Sequence, residues 1–485
     1  MLENPWPDTL AGCRVHLVGI KGTGMTALAE ILVGRGAVVS GSDGPEKFYT
    51  DALLARLGVP YRESFSAANV QEGVQLVVHS PAYSREENVE LREALKRGLP
   101  VLSYPEALGR LSAAADSSGV AGTHGKTTTT ALAGTLAEAL ELPVTVLVGS
   151  EVAGFGGHST LVRGERYLVA ETCEYRRHFL NFRPRRVVIT SVEADHLDYF
   201  RDLEDVLDAF GSYVRLLPPG GTLIYAADDA GARAVAERCR SQRADLRLLP
   251  YGETALGPFG LRQVHSGQGR TLFRLAGLEG EFSLPLPGKH MAWNAAAALA
   301  LAGELLAAEG RALGPSELEA ARAALAGFRG TRRRSELVGE AGGVLFLDDY
   351  GHHPTEIRAT LEGYKSFYPG RRLVVDFMPH TYSRTRALLP QFAECFAPAD
   401  LVILHRVYAS ARESAGEAGR LPVDGRTLYR EVASRHPAVQ YYEEPLEAVE
   451  ALAGKLAPGD LFVTMGAGDN WKVGRALLAR LGGKL

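Results

Sequence analysis

Residues 119–130 read GVAGTHGKTTTT. A β-branched start runs into glycines, then Gly125-Lys126-Thr127, then an alanine- and leucine-rich helical pattern. Strand, loop and helix N-terminus therefore follow in the order of a nucleoside triphosphate cradle. Glycines let backbone N–H groups turn inward on phosphate oxygens, and the helix N-terminus adds partial positive charge. The candidate ATP contacts are Gly122, Thr123, His124, Gly125, Lys126, Thr127 and Thr128, with Lys126 on the β- and γ-phosphates. The general pattern asks for glycine at position 120, where Val120 stands. A glycine-rich turn with a lysine there by chance is the bland alternative, and the strand-to-helix context weighs against it.

Mg²⁺ takes hard oxygen ligands and keeps several waters. The Thr127 hydroxyl is one candidate ligand. Glu171 is another, because it ends the apolar strand Tyr167–Ala170, where an acid beside the phosphates is expected in an open α/β sheet. Ser191-Val192-Glu193-Ala194-Asp195-His196-Leu197-Asp198 follows the next strand. That cluster reads equally as a second cation or substrate site and as a helix N-cap with solvated acids.

Short β-branched runs alternate with helical patterns along the chain, which indicates parallel α/β topology. Expected strands are Arg14–Val18, Ala37–Ser40, Leu76–His79 and Val101–Ser103, then Tyr167–Ala170, Val187–Thr190 and Thr222–Tyr225. The third unit offers Val344–Leu347, Arg372–Phe377, Leu401–Leu404 and Asp460–Met465. Between them, Leu272–Leu286 reads as added antiparallel strands before an alanine-rich helix from about Met291, and the small-residue stretch Ser112–Gly119 reads as a linker. With 485 residues, about three domains are expected. Their bounds are set at 1–112, 113–328 and 329–485: a Rossmann-like unit, a P-loop ATPase-like unit with a mixed sheet, and a second Rossmann-like unit.

Composition narrows the function classes. A net charge of −4 gives no basic footprint for nucleic acid. Four cysteines without CxxC spacing argue against a zinc site or disulfide scaffold and fit a reducing, cytoplasmic setting. No secretion signal or membrane-length apolar run is read.

Gly19-Ile20-Lys21-Gly22-Thr23-Gly24-Met25-Thr26-Ala27 also follows a strand and opens a helix, and Asp43 ends the next strand. Gly22-x-Gly24-x-x-Ala27 satisfies the dinucleotide fingerprint, with Asp43 in place for a ribose. Such a loop says only that a diphosphate can sit on the helix; NAD, FAD and UDP-sugars all carry one. A dehydrogenase has no use for the triphosphate cradle, so a UDP ligand is preferred. Gly22, Thr23, Gly24, Met25, Asp43 and Ser80 are its candidate contacts. In the third unit, Asp348–Glu356 and Pro379–Arg386 crowd polar residues at strand ends. Arg384 is suited to a two-pronged contact with an amino acid's carboxylate. Arg332-Arg333-Arg334 reads as a solvated run or as a γ-phosphate contact.

Together these segments resemble the Mur ligase family over nearly the whole chain. The resemblance rests on Gly19–Met25, Gly122–Thr129, Glu171–Leu180, Glu193–Asp198, Pro287–Asn294, Asp348–Glu356, Pro379–Thr385, Tyr408–Glu413 and Gly466–Gly474. Cys173–Leu180 and Asp349–Pro354 look most like the member that adds alanine. The resemblance implies a UDP-binding domain, a central ATPase and a C-terminal domain that closes over the site. It implies amide formation between L-alanine and the carboxylate of UDP-N-acetylmuramate through an acyl phosphate, with ATP and Mg²⁺, for peptidoglycan precursor synthesis. A sister ligase taking a preformed peptide and a non-catalytic homologue are the alternatives.

The resemblance further implies Glu171 and His196 as Mg²⁺ ligands, and Asn294, Asp349 and Arg333 on the nucleotide. Glu174 and His178 would meet the UDP-sugar, and His352 and Arg384 the amino acid. It implies a monomer or homodimer with small-molecule partners. Ser191, Met291, Ser335 and Met378 depart from the family's usual residues.

Overall fold

The computed structural model describes residues 6–7, 9–409 and 423–483. The end of the expected motif Tyr408–Glu413 therefore lies outside the described residues. The chain separates into two compact units. The first holds residues up to Ser191 with 207–250 and 297–321, and the second holds 192–206, 251–296 and 322 onward.

In the first unit, five parallel strands run in the order Tyr61–Arg62, Val38–Ser42, Arg14–Val18, Leu76–His79, Val101–Ser103. The sheet starts in its middle and winds both ways, so the ends of Arg14–Val18 and Leu76–His79 flank the switch point where α/β sheets bind ligands. Leu17, Val18 and Leu76–Val78 are fully buried, as central parallel strands covered on both faces must be.

A seven-stranded sheet follows in the same unit, in the order Arg247–Tyr251, Thr222–Ala226, Arg186–Ile189, Asp116–Ala121, Tyr167–Glu171, Val144–Val152, His158–Val162. The supposed linker Ser112–Gly119 is half strand: Ser117 and Ser118 are small residues fully buried in the sheet, not a solvated connection. The strand continues through Val120, which pairs with Val188 and Glu171 and is fully buried. That explains its departure from the loop pattern. The residue that must lack a side chain lies two positions on, at Gly122.

The two sheets of this unit are tied by a buried acid. Glu30, on helix Thr23–Gly34, is 4% exposed. It accepts hydrogen bonds from the Ser159 N–H (3.1 Å), the Ser159 hydroxyl (2.9 Å) and His158 Nδ1 (3.0 Å).

The second unit is built on a six-stranded sheet ordered Glu336–Ala341, Val344–Asp349, Asp460–Met465, Arg372–Phe377, Leu401–Leu404, Val439–Tyr441. Only the first strand is antiparallel to its neighbour. Alternate residues face opposite ways, so two apolar clusters form. Leu347, Val375, Leu461 and Val463 pack on one face, and Phe346, Val374 and Phe462 on the other.

The expected antiparallel segment is a three-stranded sheet, Leu261–Gly267, Arg270–Leu275 and Leu278–Leu284, beginning earlier than the sequence pattern suggests. The alanine-rich helix runs from Lys289 to Ala308. Among the described residues it alone is long and apolar enough to cross a membrane, and 72% of its apolar window is buried inside the fold, as in a core helix.

Candidate functional site

The phosphate loop is held open by the backbone at its base. Gly122 has φ +144°, a region essentially reserved for glycine, and Gly125 has φ +78° as the N-cap of helix Lys126–Ala139. No side chain caps that helix, so its first-turn N–H groups are left for an anion. The loop is braced from the end of the neighbouring strand. The Thr123 N–H donates to the Ser191 carbonyl (2.9 Å), and the His124 N–H donates to Ser191 Oγ (2.9 Å). The Thr190 hydroxyl donates to the His124 carbonyl. Ser191, a departure from the family pattern, thus has a structural role, since its hydroxyl pins the loop.

Lys126 Nζ folds back to the Gly122 carbonyl and forms a 3.1 Å ion pair with Glu174. Burial opposes its charge, but Glu174, Cys173 and Glu171 outweigh burial and hold the ammonium above its ordinary value. Glu174, expected near the UDP-sugar, pairs with the phosphate-loop lysine. Glu171 ends the strand beside the loop strand, and its Oε2 accepts the Gly149 N–H (2.9 Å). The hydroxyl-bearing Thr127 is buried in the first helical turn.

At the first glycine loop, helix Thr23–Gly34 also begins without a side-chain cap, on Gly22. Gly24 touches Tyr104 so closely that an added Cβ would sit 2.9 Å from its ring. Thr23 Oγ1 accepts the Tyr49 hydroxyl (3.1 Å), Met25 is buried, and Ser80 is half-buried at its strand end.

Asp43, which the fingerprint assigns to a ribose, ends its strand with its carboxylate turned onto its own loop. Its carboxylate, 7% exposed, takes the N–H groups of Lys21 (2.7 Å) and Gly44 (2.8 Å) and the Tyr83 hydroxyl (3.0 Å). It therefore braces the loop. Lys21, itself buried, binds the carbonyls of Gly44 and Glu46 (2.9 Å each). A mostly apolar cavity of about 600 Å³ runs from Gly24 and Tyr104 past Leu108 to Glu171, Cys173 and His178. It brings His178 to the same wall as the first glycine loop. Tyr104 carries no sequence signal at all.

In the second unit, Arg333 is locked inward. Nε donates to Asp348 (2.8 Å), Nη2 to the Gly466 carbonyl (2.7 Å), and the guanidinium lies 5.3 Å from the Tyr350 ring centroid. Arg334 covers the same ring at 5.3 Å and pairs with Glu356 (2.6 Å). Arg332-Arg333-Arg334 is thus not simply a solvated run.

Asp349 accepts the N–H groups of Gly351 and Ser335 (2.7 Å each), and the Ser335 hydroxyl in turn accepts from Tyr364 (3.0 Å). Burial first, and then Glu356, push its carboxyl up to about 6. The departure at Ser335 is thereby part of a buried polar network. Asn294, 8% exposed, lies 3.9 Å from the sulfur of Met291 through its amide nitrogen.

His352 Nδ1 lies 3.0 Å from the Tyr350 carbonyl. A carbonyl can only accept, so Nδ1 carries the proton and Nε2 keeps the lone pair. Burial, followed by the Arg384 charge, pushes its pKa well below the ordinary value, leaving a neutral imidazole.

Glu193–Asp198 is an irregular turn rather than a helix N-cap, since the next helix starts only at Leu203. His196 has φ +52°, and its N–H donates to Asp195 Oδ1 (2.7 Å). Arg384, expected to take an amino acid's carboxylate, makes a two-pronged contact with a carboxylate of its own chain. Nε donates to Asp195 Oδ1 (3.0 Å) and Nη2 to Oδ2 (3.2 Å), with Nη2 also 2.9 Å from Oδ1 in the ion pair. From the sequence Asp195 is only one acid of a cluster, because its partner lies 189 residues away. Arg384, Asp195, His196, His380 and Ser383 line one cavity of about 480 Å³.

Comparison with known proteins covers the whole of this architecture. Three family models match in succession: the catalytic domain of the Mur ligase family over residues 14–116, the Mur ligase middle domain over 120–302 and the Mur ligase glutamate ligase domain over 333–468. The UDP-N-acetylmuramate–L-alanine ligase of Treponema pallidum is 52% identical over 479 residues, 98% of each chain. That of Desulfitobacterium hafniense is 40% identical over 470 residues, 96% of this chain and 99% of the other. The crystal structure of the UDP-N-acetylmuramate–alanine ligase of Thermotoga maritima superposes with a TM-score of 0.76 at 25% identity, covering 96% of this chain and 98% of that one. A murein peptide ligase of Psychrobacter arcticus shares the fold with a TM-score of 0.64 at 24% identity, over 98% and 100% of the two chains.

Proposed function

The chain belongs to the Mur ligase family, and on that premise we propose that it joins L-alanine to the carboxylate of UDP-N-acetylmuramate, cleaving ATP to ADP and phosphate. The observation that carries this reading is the 52% identity along 98% of both chains to a ligase of that name. The setting is peptidoglycan precursor synthesis in the cytoplasm. The functional segments are 1–112, 113–328 and 329–485. Support comes from the sheets: the five-stranded sheet ends at Ser103, the seven-stranded sheet spans 116–251, and the six-stranded sheet starts at Glu336.

The muramate carboxylate attacks the γ-phosphorus of ATP, the bond to ADP breaks, and an acyl phosphate forms. Gly122, Gly125 and Thr128 offer N–H groups to the phosphates, while Thr123 and His124, whose N–H groups are taken up by Ser191, are assigned to the nucleotide as the residues that shape the loop around it. Lys126 supplies fixed positive charge where charge spreads over the transferring group. To reach a phosphate it must leave Glu174. Thr127 and Glu171 provide hard oxygen donors that fit Mg²⁺, and His196 is a softer third candidate. When bound, the ion neutralises phosphate charge. Arg333, Asn294 and Asp349 are assigned to the nucleotide, Arg333 through the donors that Asp348 and Gly466 leave. Gly22, Thr23, Gly24, Met25, Ser80 and His178 are assigned to the UDP-sugar, with Asp43 as their brace.

The amine of alanine must arrive unprotonated. His352, neutral with its lone pair on Nε2, is suited to take that proton. The amine then attacks the acyl carbon and phosphate leaves. Arg384 takes the alanine carboxylate through the edge that Asp195 leaves.

The test is phosphate release from ATP and UDP-N-acetylmuramate, with L-alanine, glycine, L-serine or the murein tripeptide added separately. Release that requires both the UDP-sugar and L-alanine supports the reading. Release only with the tripeptide, or none at all, overturns it.

A further inference from the structure

The Asp195–Arg384 pair has geometry that a simple substrate-binding arginine does not need. Both side chains are 7% exposed, and the carboxylate covers the Nε/Nη2 edge of the guanidinium. A guanidinium is a rigid planar fork with five N–H donors, so one carboxylate on that edge fixes the plane and leaves the Nη1/Nη2 end. Nη1 donates to the His380 carbonyl (3.3 Å) and lies 3.5 Å from His380 Nδ1, and its second N–H faces the cavity that His380, Thr381 and Ser383 also line. The backbone under Arg384 is fixed as well. Its N–H donates to Thr381 Oγ1 (3.4 Å), the N-cap of the short helix Tyr382–Ala387.

We infer that Asp195 is a positioning residue for amino-acid recognition, orienting Arg384 so that its Nη1/Nη2 end, and not its side edge, receives the carboxylate of the incoming amino acid. This rests on the assignment of that carboxylate to Arg384. Three consequences follow from the pair. A lone buried guanidinium would be costly, and Asp195 compensates it before substrate arrives. The long arginine side chain is ordered in advance, so binding spends little entropy on it. The side-on edge is closed to other anions, so only a ligand reaching the end of the fork from the cavity is accepted.

The test is a steady-state comparison of Asp195→Asn, Asp195→Glu, Arg384→Gln and the double variant Asp195→Asn/Arg384→Gln. Each is assayed with L-alanine, ATP and UDP-N-acetylmuramate varied in turn. The double variant has no unpaired buried charge, so it remains informative if Asp195→Asn alone folds poorly. Asp195→Asn is expected to raise KM for alanine by about 10-fold or more while kcat and the other two KM values stay within about 3-fold. Asp195→Glu is expected to recover part of the loss. On the Arg384→Gln background, Asp195→Asn should add nothing, because a residue acting through Arg384 has no effect once that arginine is gone. Multiplicative effects of the two substitutions would overturn the proposal. So would an alanine KM that responds to Arg384→Gln but not to Asp195→Asn, and in that case the amino-acid assignment would survive. If neither single variant moves the alanine KM, the assignment to Arg384 fails and the proposal with it.

Discussion

Replacing Gly122 with alanine should disable nucleotide binding without touching any group that contacts a phosphate through its side chain. The residue sits at φ +144°, where a Cβ is strained at a cost of about 1–3 kcal/mol. The new methyl would also meet the Thr190 hydroxyl and the backbone of Ser191, 2.9 Å from its nitrogen and 3.0 Å from its oxygen. That oxygen cannot swing away freely, because it already accepts the Thr123 N–H at 2.9 Å. Overpacking against fixed atoms adds about 1–3 kcal/mol, so the total is about 2–6 kcal/mol.

If the loop distorts locally to relieve this, the strain appears as lost affinity for ATP. At about 1.4 kcal/mol per decade, Kd rises about 30-fold to about 10⁴-fold. Titration calorimetry with ATP, beside a thermal melt, reads both outcomes. Gly98→Ala is the control. It also has positive φ (+71°) but no atom within 4 Å of an added Cβ, so only the backbone strain, about 1 kcal/mol, remains. A Gly122→Ala protein that binds ATP as tightly as the parent and melts at the same temperature would refute the reasoning.

Three further outcomes are expected. Ser191→Ala removes the acceptor of the His124 N–H, a loss of about 0.5–1.5 kcal/mol, and should weaken ATP binding by about 2- to 10-fold in the same calorimeter, with Ser191→Thr restoring much of it. Glu30→Ala strands the buried N–H and hydroxyl of Ser159 and should lower the urea-unfolding free energy by about 2–4 kcal/mol, with Glu30→Gln costing less; an unchanged midpoint would show that the tie is idle. His352 has a depressed folded pKa, so the folded state binds fewer protons than the unfolded one below pH 6.5. Stability should therefore fall as pH drops below that value, and the acid limb of the alanine-dependent rate should lie below it too. His352→Gln should remove that limb and lower kcat by about 100-fold or more; an acid limb that persists in the variant would assign it to another group.

The sequence alone determined the features that a dozen contiguous residues decide. Gly122 and Gly125 before Lys126-Thr127, the strand ending at Glu171 and the glycine loop at Gly22–Gly24 are each a local period joined to a turn, so backbone sterics make them readable. Even there the strand pairing of Val120 moved the turn glycine to position 122, because sheet register is a property of neighbouring strands.

Tertiary structure alone decided which partner each polar side chain takes. Ser191 reaches His124 across 67 residues, Glu30 reaches Ser159 across 129, and Asp195 reaches Arg384 across 189. Asp43 and Arg384 have the residue types that the motifs ask for, yet their hydrogen bonds run to their own chain. A buried charge takes whichever compensating group the fold brings beside it, and separation along the sequence carries no information about that distance.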